Sequence, residues 1–167
     1  MPAITLVSLD ESSLAALSSA PGDYASIHGF DIGSNEALIR GVAEQSLTFR
    51  RDKGIQHPWA GYLAVDAKSL AIVGTCSFTG PPGSTGAVEI AYYTFPGSEG
   101  QGYATAMAEA LRAIAVASAD VRVVTANTLA QGNASTRILD KLGFTRVGDN
   151  VDPDDGAIWQ WEWRLNG

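Results

Sequence analysis

The sequence predicts an α/β fold in a single domain, and three observations carry that reading. Runs rich in β-branched and aromatic residues alternate along the chain with segments whose apolar residues recur at helical spacing. One such run, Ala87–Phe95, leads through Pro96-Gly97 and the glycine turn Gly100-Gln101-Gly102 into a helical segment, Tyr103–Ser118, with Met107, Leu111 and Ile114 on one face. The length of 167 residues, with 46% hydrophobic and 17% charged residues, suits one globular domain over residues 1–167, large enough for a real core.

From the first residues onward, each element has a local reason. Ile4–Leu9 reads as a short strand, and Asp10 can cap a helix that carries Leu14 and Leu17 on one side. Pro21-Gly22 closes that helix, and Asp23–Gly33 reads as irregular, anchored by Tyr24, Ile27 and Phe30. Ser34 can cap a longer helix to about Arg51, with Leu38, Val42 and Phe49 along one side. Trp59–Ala67 and Leu70–Thr79 are strand-like runs joined by Asp66-Ala67-Lys68-Ser69, the pattern of a hairpin. Cys76 lies mid-strand without a basic neighbour and reads as a small buried hydrophobe. After the loop Gly80–Gly86 and the strand–turn–helix, Val121–Ala126 is a strongly β-branched strand. A helix begins near Asn133, with Ala134, Ile138 and Leu142 at i, i+4 and i+8, and Gly143 fits the left-handed position that ends it. Phe144–Val147 and Ala157–Leu165 are the last two strands, separated by an acidic loop, Gly148–Gly156, without calcium-loop spacing. Period two gathers Trp159, Trp161 and Trp163 on one face of the final strand, as core.

Composition narrows the function classes. A net charge of −7 argues against nucleic-acid or anionic-membrane partners, which need clustered Lys and Arg. One cysteine and two histidines give no disulfide, no metal framework and no histidine-centred triad. No apolar run approaches membrane-spanning length and the first residues lack a basic signal region, so a cytoplasmic location is expected.

The glycine turn is the chemical focus. The first N–H groups of a helix lack intrahelical acceptors and sit at the positive end of its dipole. Glycines remove the Cβ atoms that would hold a phosphate away from them, so a pyrophosphate is the natural guest. A P-loop would need Lys-Ser/Thr after the second glycine, where Tyr103-Ala104 stands, and a dinucleotide fingerprint would need glycine in place of Thr105. A turn shaped only for packing is the remaining alternative.

The residues EIAYYTFP followed by GQGYAT, then NTLAQGNASTRILDKLGF (Asn127–Phe144) and DGAIWQWEW (Asp155–Trp163), resemble the Gcn5-related N-acetyltransferases (GNAT), in the branch of the ribosomal-protein N-acetyltransferases. The resemblance is collinear from about Ala87 to the C-terminus. It implies a mixed, mostly antiparallel sheet flanked by helices, acetyl-CoA as co-substrate without a metal, and an amine acceptor, either a small molecule or a protein N-terminus. A monomer or homodimer is expected. The first two helices should border the acceptor side. The resemblance places the pantetheine arm along the end of the Glu89–Phe95 strand, paired to backbone around Tyr93, Thr94 and Phe95, and the pyrophosphate on the amides of Glu99, Gly100, Gln101, Gly102, Tyr103 and Ala104. Gly97 and Glu99 stand where the family often has basic or amide side chains, which leaves backbone donors as the main term.

Acyl transfer to an amine also needs a neutral nucleophile and a way to release thiolate. An alkylamine of pKa about 10.4 is neutral about 0.1% of the time near pH 7.4, a handicap of ~4 kcal/mol. A general base is therefore worth most for such an acceptor. Glu89, the one charge in an apolar strand and a position where the family often has its base, is the candidate; strand alternation groups it with Ala91, Tyr93 and Phe95. A structural Glu is the alternative. The tyrosine that the wider family uses to protonate the thiolate corresponds to Leu139 here, and the resembled branch places the hydroxyl of Ser135 near sulfur. Asn133 fits a helix cap and, by the resemblance, a polar contact to the CoA arm, with Asn127 in the same cleft. The rival from another class is a catalytically weak acyl-CoA-binding or regulatory module of the same fold.

Overall fold

The computed structural model describes residues 1–165. Its elements are β1 (Ile4–Ser8), α1 (Glu11–Ser19), α2 (Pro21–His28), α3 (Glu36–Lys53), β2 (Gly61–Asp66), β3 (Ile72–Phe78), β4 (Ala87–Thr94), α4 (Tyr103–Val116), β5 (Val123–Leu129), α5 (Ala134–Lys141), β6 (Thr145–Asp152) and β7 (Gly156–Arg164). The strands form one sheet in the order β1-β2-β3-β4-β5-β7-β6, antiparallel everywhere except between β4 and β5. That single parallel step follows from connectivity, since α4 returns the chain to the start of the sheet and only a crossover permits it. Strand alternation then sorts the core into two layers. Val88, Ile90, Val124 and Trp161 meet Met107 and Leu111 of α4 and Leu139 of α5, whereas Leu63, Val65 and Phe95 meet Leu14, Leu17 and Ile39 of α1 and α3.

Most boundaries follow the sequence signals. The Asp10 side chain accepts the amide of Ser13 at 2.7 Å and starts α1, and Gly143, at φ +85°, ends α5. Three expectations needed correction. The Asp23–Gly33 stretch is irregular only from Gly29 on: Pro21 opens a second helix rather than only closing the first, it runs through His28, and Gly29 at φ +72° ends it. Asn35, not Ser34, precedes α3. The acidic stretch Gly148–Gly156 is mostly strand, because β6 pairs with β7 from Thr145↔Glu162 to Asp152↔Gly156. Only Pro153–Asp155 turns, with the Asp152 carboxylate accepting the amides of Asp154 and Asp155 at 2.8 and 3.0 Å. As an edge strand with one neighbour, β6 carries charge on its solvent side without penalty.

The sheet parts in the middle. The β4–β5 ladder runs from Ala87↔Val123 to Ile90↔Ala126 and stops, while β4 continues along β3 to Thr94 and β5 continues along β7 to Leu129. Asn127 consequently lies inside β5, beyond the last pair with β4, and not at a strand end.

Tyr103 fixes the start of α4 against the β2–β3 hairpin, its hydroxyl donating to Asp66 Oδ2 at 2.6 Å. That bond, with the amides of Ser69 and Lys68, holds the Asp66 carboxyl down to about 2. A carboxylate whose pKa is lowered by folding stabilises above its unfolded value, 3.8, and loses the contribution as pH falls toward 2. Asp66→Ala should therefore melt below the wild type at neutral pH, with the gap closing over that acid window. A gap that persists unchanged through it would refute this role.

Candidate active site

Two clefts open at the parting of β4 and β5, and they share a wall. The first, about 490 Å³, runs from Tyr92, Tyr93 and Thr94 past Ser98, Glu99 and Gly100 to Gly102, Tyr103 and Ala104, with Ser135, Arg137 and Lys141 of α5 opposite. The second, about 800 Å³, is lined by Glu89, Ala91, Asn127, Thr128, Asn133, Asp152 and Asp155. Tyr92, Tyr93 and Ser135 face both. The stretch of β4 between the clefts has ladder partners on β3 only, so its other edge has the form that accepts an added strand.

The floor of the first cleft is the glycine turn. Gly97, Gly100 and Gly102 all have positive φ (+92°, +74° and +87°), and Gly102 precedes α4 without a side-chain cap. A Cβ on Gly100 would meet nothing within 4 Å, so the glycine serves the turn's left-handed backbone and keeps the cradle open. At Gly102 a Cβ would come within 3.0 Å of Pro2 Cδ, so this position also seats the N-terminal residues.

Glu89 is half-buried, and that burial raises its carboxyl pKa, as a base at neutral pH needs. Its Oε1 accepts Asn127 Nδ2 at 3.4 Å, so Asn127 joins the second cleft beside Glu89 rather than the first. Ser135 stands in the first turn of α5 and faces Tyr92, whose hydroxyl is kept protonated by burial, with the Ser135 side chain pulling weakly the other way. Asn133 is occupied by its helix. Its side chain accepts the amide of Thr136 at 3.0 Å, and Thr136 Oγ1 in turn accepts the amide of Asn133 at 2.9 Å. This reciprocal cap fixes the start of α5, whose first turn carries Ser135.

The remaining predicted residues separate. Tyr93, Thr94, Glu99, Gly100, Gly102, Tyr103 and Ala104 line the first cleft. Phe95 does not: its ring is fully buried beneath α1 and α3, where it supports the Tyr93 ring edge-on at 5.6 Å. Gln101 also stays out, its amide nitrogen turned back to the Gly97 carbonyl at 3.4 Å. The Tyr103 hydroxyl is committed to Asp66, which leaves its backbone to face the cleft. Leu139 is fully buried and offers no hydroxyl to a ligand. Cys76 is buried as well, which pushes its thiol up to about 12 and removes it as a nucleophile.

Sequence reasoning missed Tyr92, Arg137, Lys141, Asp152 and Asp155. Arg137 and Lys141 had a legible signal, an i, i+4 pair of cations on the helix that follows the turn. Tyr92 had none, because alternation alone put it with the core face. The two aspartates were hidden in a stretch read as a solvated loop.

The description of the family model that matches residues 15–145 is an acetyltransferase (GNAT) domain. No curated protein sequence matches the chain. Among solved structures, RimL, a ribosomal L7/L12 alpha-N-protein acetyltransferase in complex with coenzyme A, superposes with a TM-score of 0.67 at 17% identity, covering 97% of this chain and 94% of that one. The microcin C7 self-immunity acetyltransferase MccE, in complex with acetyl-CoA and AMP, gives 0.66 at 14% identity over 97% and 92%. A spermidine N-acetyltransferase, a SpeG chimera from Vibrio cholerae and hSSAT, gives 0.66 at 11% over 96% and 95%. At these identities the likenesses speak for the fold, and the family match spans most of the chain. The protein belongs to the GNAT acetyltransferase family.

Proposed function

We propose that this protein moves an acetyl group directly from acetyl-CoA to a primary amine, and one observation carries the reading. The glycine turn and the half-buried Glu89 lie in separate clefts whose common wall is Tyr92, Tyr93 and Ser135. A thioester entering from one side and an amine from the other meet at that wall, so proximity supplies much of the rate. The pantetheine arm adds to the unpaired edge of β4 near Tyr93 and Thr94. The pyrophosphate rests on the free amides at the start of α4. Arg137 and Lys141 supply the positive side chains that Gly97 and Glu99 do not.

In the transfer step the amine nitrogen bonds to the thioester carbon and loses a proton toward Glu89, directly or through water. The carbon–sulfur bond then breaks. The thiolate, near pKa 8.5 as a free thiol, takes a proton from the Ser135 or Tyr92 hydroxyl, which is recharged from solvent. Two of the three relatives named above are, by name, acetyltransferases of a protein N-terminus and of spermidine, both amine acceptors.

Release of free CoA thiol from acetyl-CoA in the presence of amines tests the reading and separates it from a binding-only module of the same fold. Thiol release that depends on added amine is expected. The variant Arg137→Ala/Lys141→Ala should bind CoA about tenfold more weakly by calorimetry, with an unchanged melting temperature. CoA binding without amine-dependent release would leave only the binding module.

A further inference from the structure

We infer that the acceptor is an amine carrying a second positive charge, a polyamine or another oligocation, held by Asp152 and Asp155 while its reacting nitrogen meets Glu89. This rests on the proposed acetyl transfer and names its substrate class. The two clefts are sorted by sign. Cations, Arg137 and Lys141, face the one that receives a polyanionic cofactor. Three carboxylates from three places in the chain, Glu89 of β4, Asp152 at the end of β6 and Asp155 of the turn before β7, face the other. Among the described residues no Lys, Arg or His lines that second cleft.

Among the described residues no cation forms an ion pair with these carboxylates: the ion pairs are Arg51–Glu11 and Arg164–Glu162, both elsewhere. The amides of Asp155 and Asp154 hold the Asp152 carboxyl below its ordinary value. A charge pattern of this kind in a concave site attracts cations and repels anions. An amino acid acceptor would bring its carboxylate into a chamber that offers no cation. A diamine brings one nitrogen for Glu89 and another for the aspartates, and a space of about 800 Å³ has room for the chain between them.

Steady-state thiol release with putrescine against n-butylamine, under saturating acetyl-CoA, measures the effect of a second charge on the same four-carbon chain, and spermidine adds a third. Lysyl peptides and an aminoglycoside, as further arms, distinguish free polyamines from other oligocations. Putrescine or spermidine should exceed butylamine in kcat/KM by at least about tenfold, mainly through KM, and added salt should erode the preference. In Asp152→Asn/Asp155→Asn the ratio should fall toward one, with CoA affinity by calorimetry reporting that the fold is intact. Equal rates for diamine and monoamine would overturn the inference while leaving acetyl transfer in place. A diamine preference that survives in the double variant would overturn it too. If no amine supports release, transfer itself fails, and calorimetry of spermidine into the CoA-loaded protein still decides the ligand class. Binding lost in the double variant supports the inference, and no binding by wild type overturns it.

Discussion

Glu89→Gln is expected to lower kcat/KM by about 10²-fold or more at neutral pH while CoA affinity barely changes. The substitution keeps the shape of the side chain and the contact to Asn127 at 3.4 Å, and removes only basicity. Burial raises the Glu89 pKa, so the wild type should lose activity as pH falls through a carboxyl value above the ordinary 4.5. Asp152, Asp155, Tyr92 and Tyr93 face the same cleft, and none is a cation that could hold that value down. The variant's deficit should shrink as pH rises, because solution then supplies neutral amine unaided. Stability gives an independent reading. A carboxylate that pays for desolvation is not a structural prop, so Glu89→Gln should melt no lower than wild type. A lower melting temperature with a rate loss indifferent to pH would mean that Glu89 is structural. Parallel pH–rate profiles with equal plateaus would leave proximity as the main source of rate.

Trp161→Ala should cost ~3–5 kcal/mol of stability, the range for aromatic truncations in a core, and lower the melting temperature by about 10 °C. Trp161 is only 7% exposed, and its indole N–H donates to Thr128 Oγ1 at 3.0 Å. Its neighbours on the same face, Trp159 and Trp163, are covered by the guanidinium groups of Arg146 and Arg112 at 4.1 and 4.7 Å. Trp161→Phe separates the two contributions, since it keeps most of the packing and removes the hydrogen bond, for about 1 kcal/mol. An alanine variant that melts with the wild type would show that this stripe is not core.

How much of this was legible beforehand depends on the kind of signal. Elements set by local chemistry were readable: the Asp10 cap, the Asp66–Ser69 hairpin, Gly143 and the alternating tryptophans each act within a few residues. The start of α2 was missed because Pro21 both ends one helix and begins another, and a reader expecting a break sees only the break. The β6 extension was missed because Gly148, Asp149 and Asn150 have poor strand propensity, which pairing with β7 overrides. In the site, the glycine turn and Glu89 came from one contiguous stretch. Tyr92, in that same stretch, was hidden by alternation, which groups it with the core face. Asp152 and Asp155 enter the site only through the register of distant strands, a relation the linear chain does not display.

The four residue pairs between β4 and β5 are also a mechanical statement. A hydrogen-bonded ladder resists shear and opening along its length, and where it stops the two half-sheets are joined only at their base, like the arms of a clothes-peg. The direction of least stiffness therefore runs across the mouth, along the line by which both ligands enter. Any molecule that bridges the gap and bonds to β4 on one side and α5 on the other works as a brace. Saturation with CoA should accordingly slow amide exchange along Ala91–Thr94 and around Ser135 more than elsewhere in the protein.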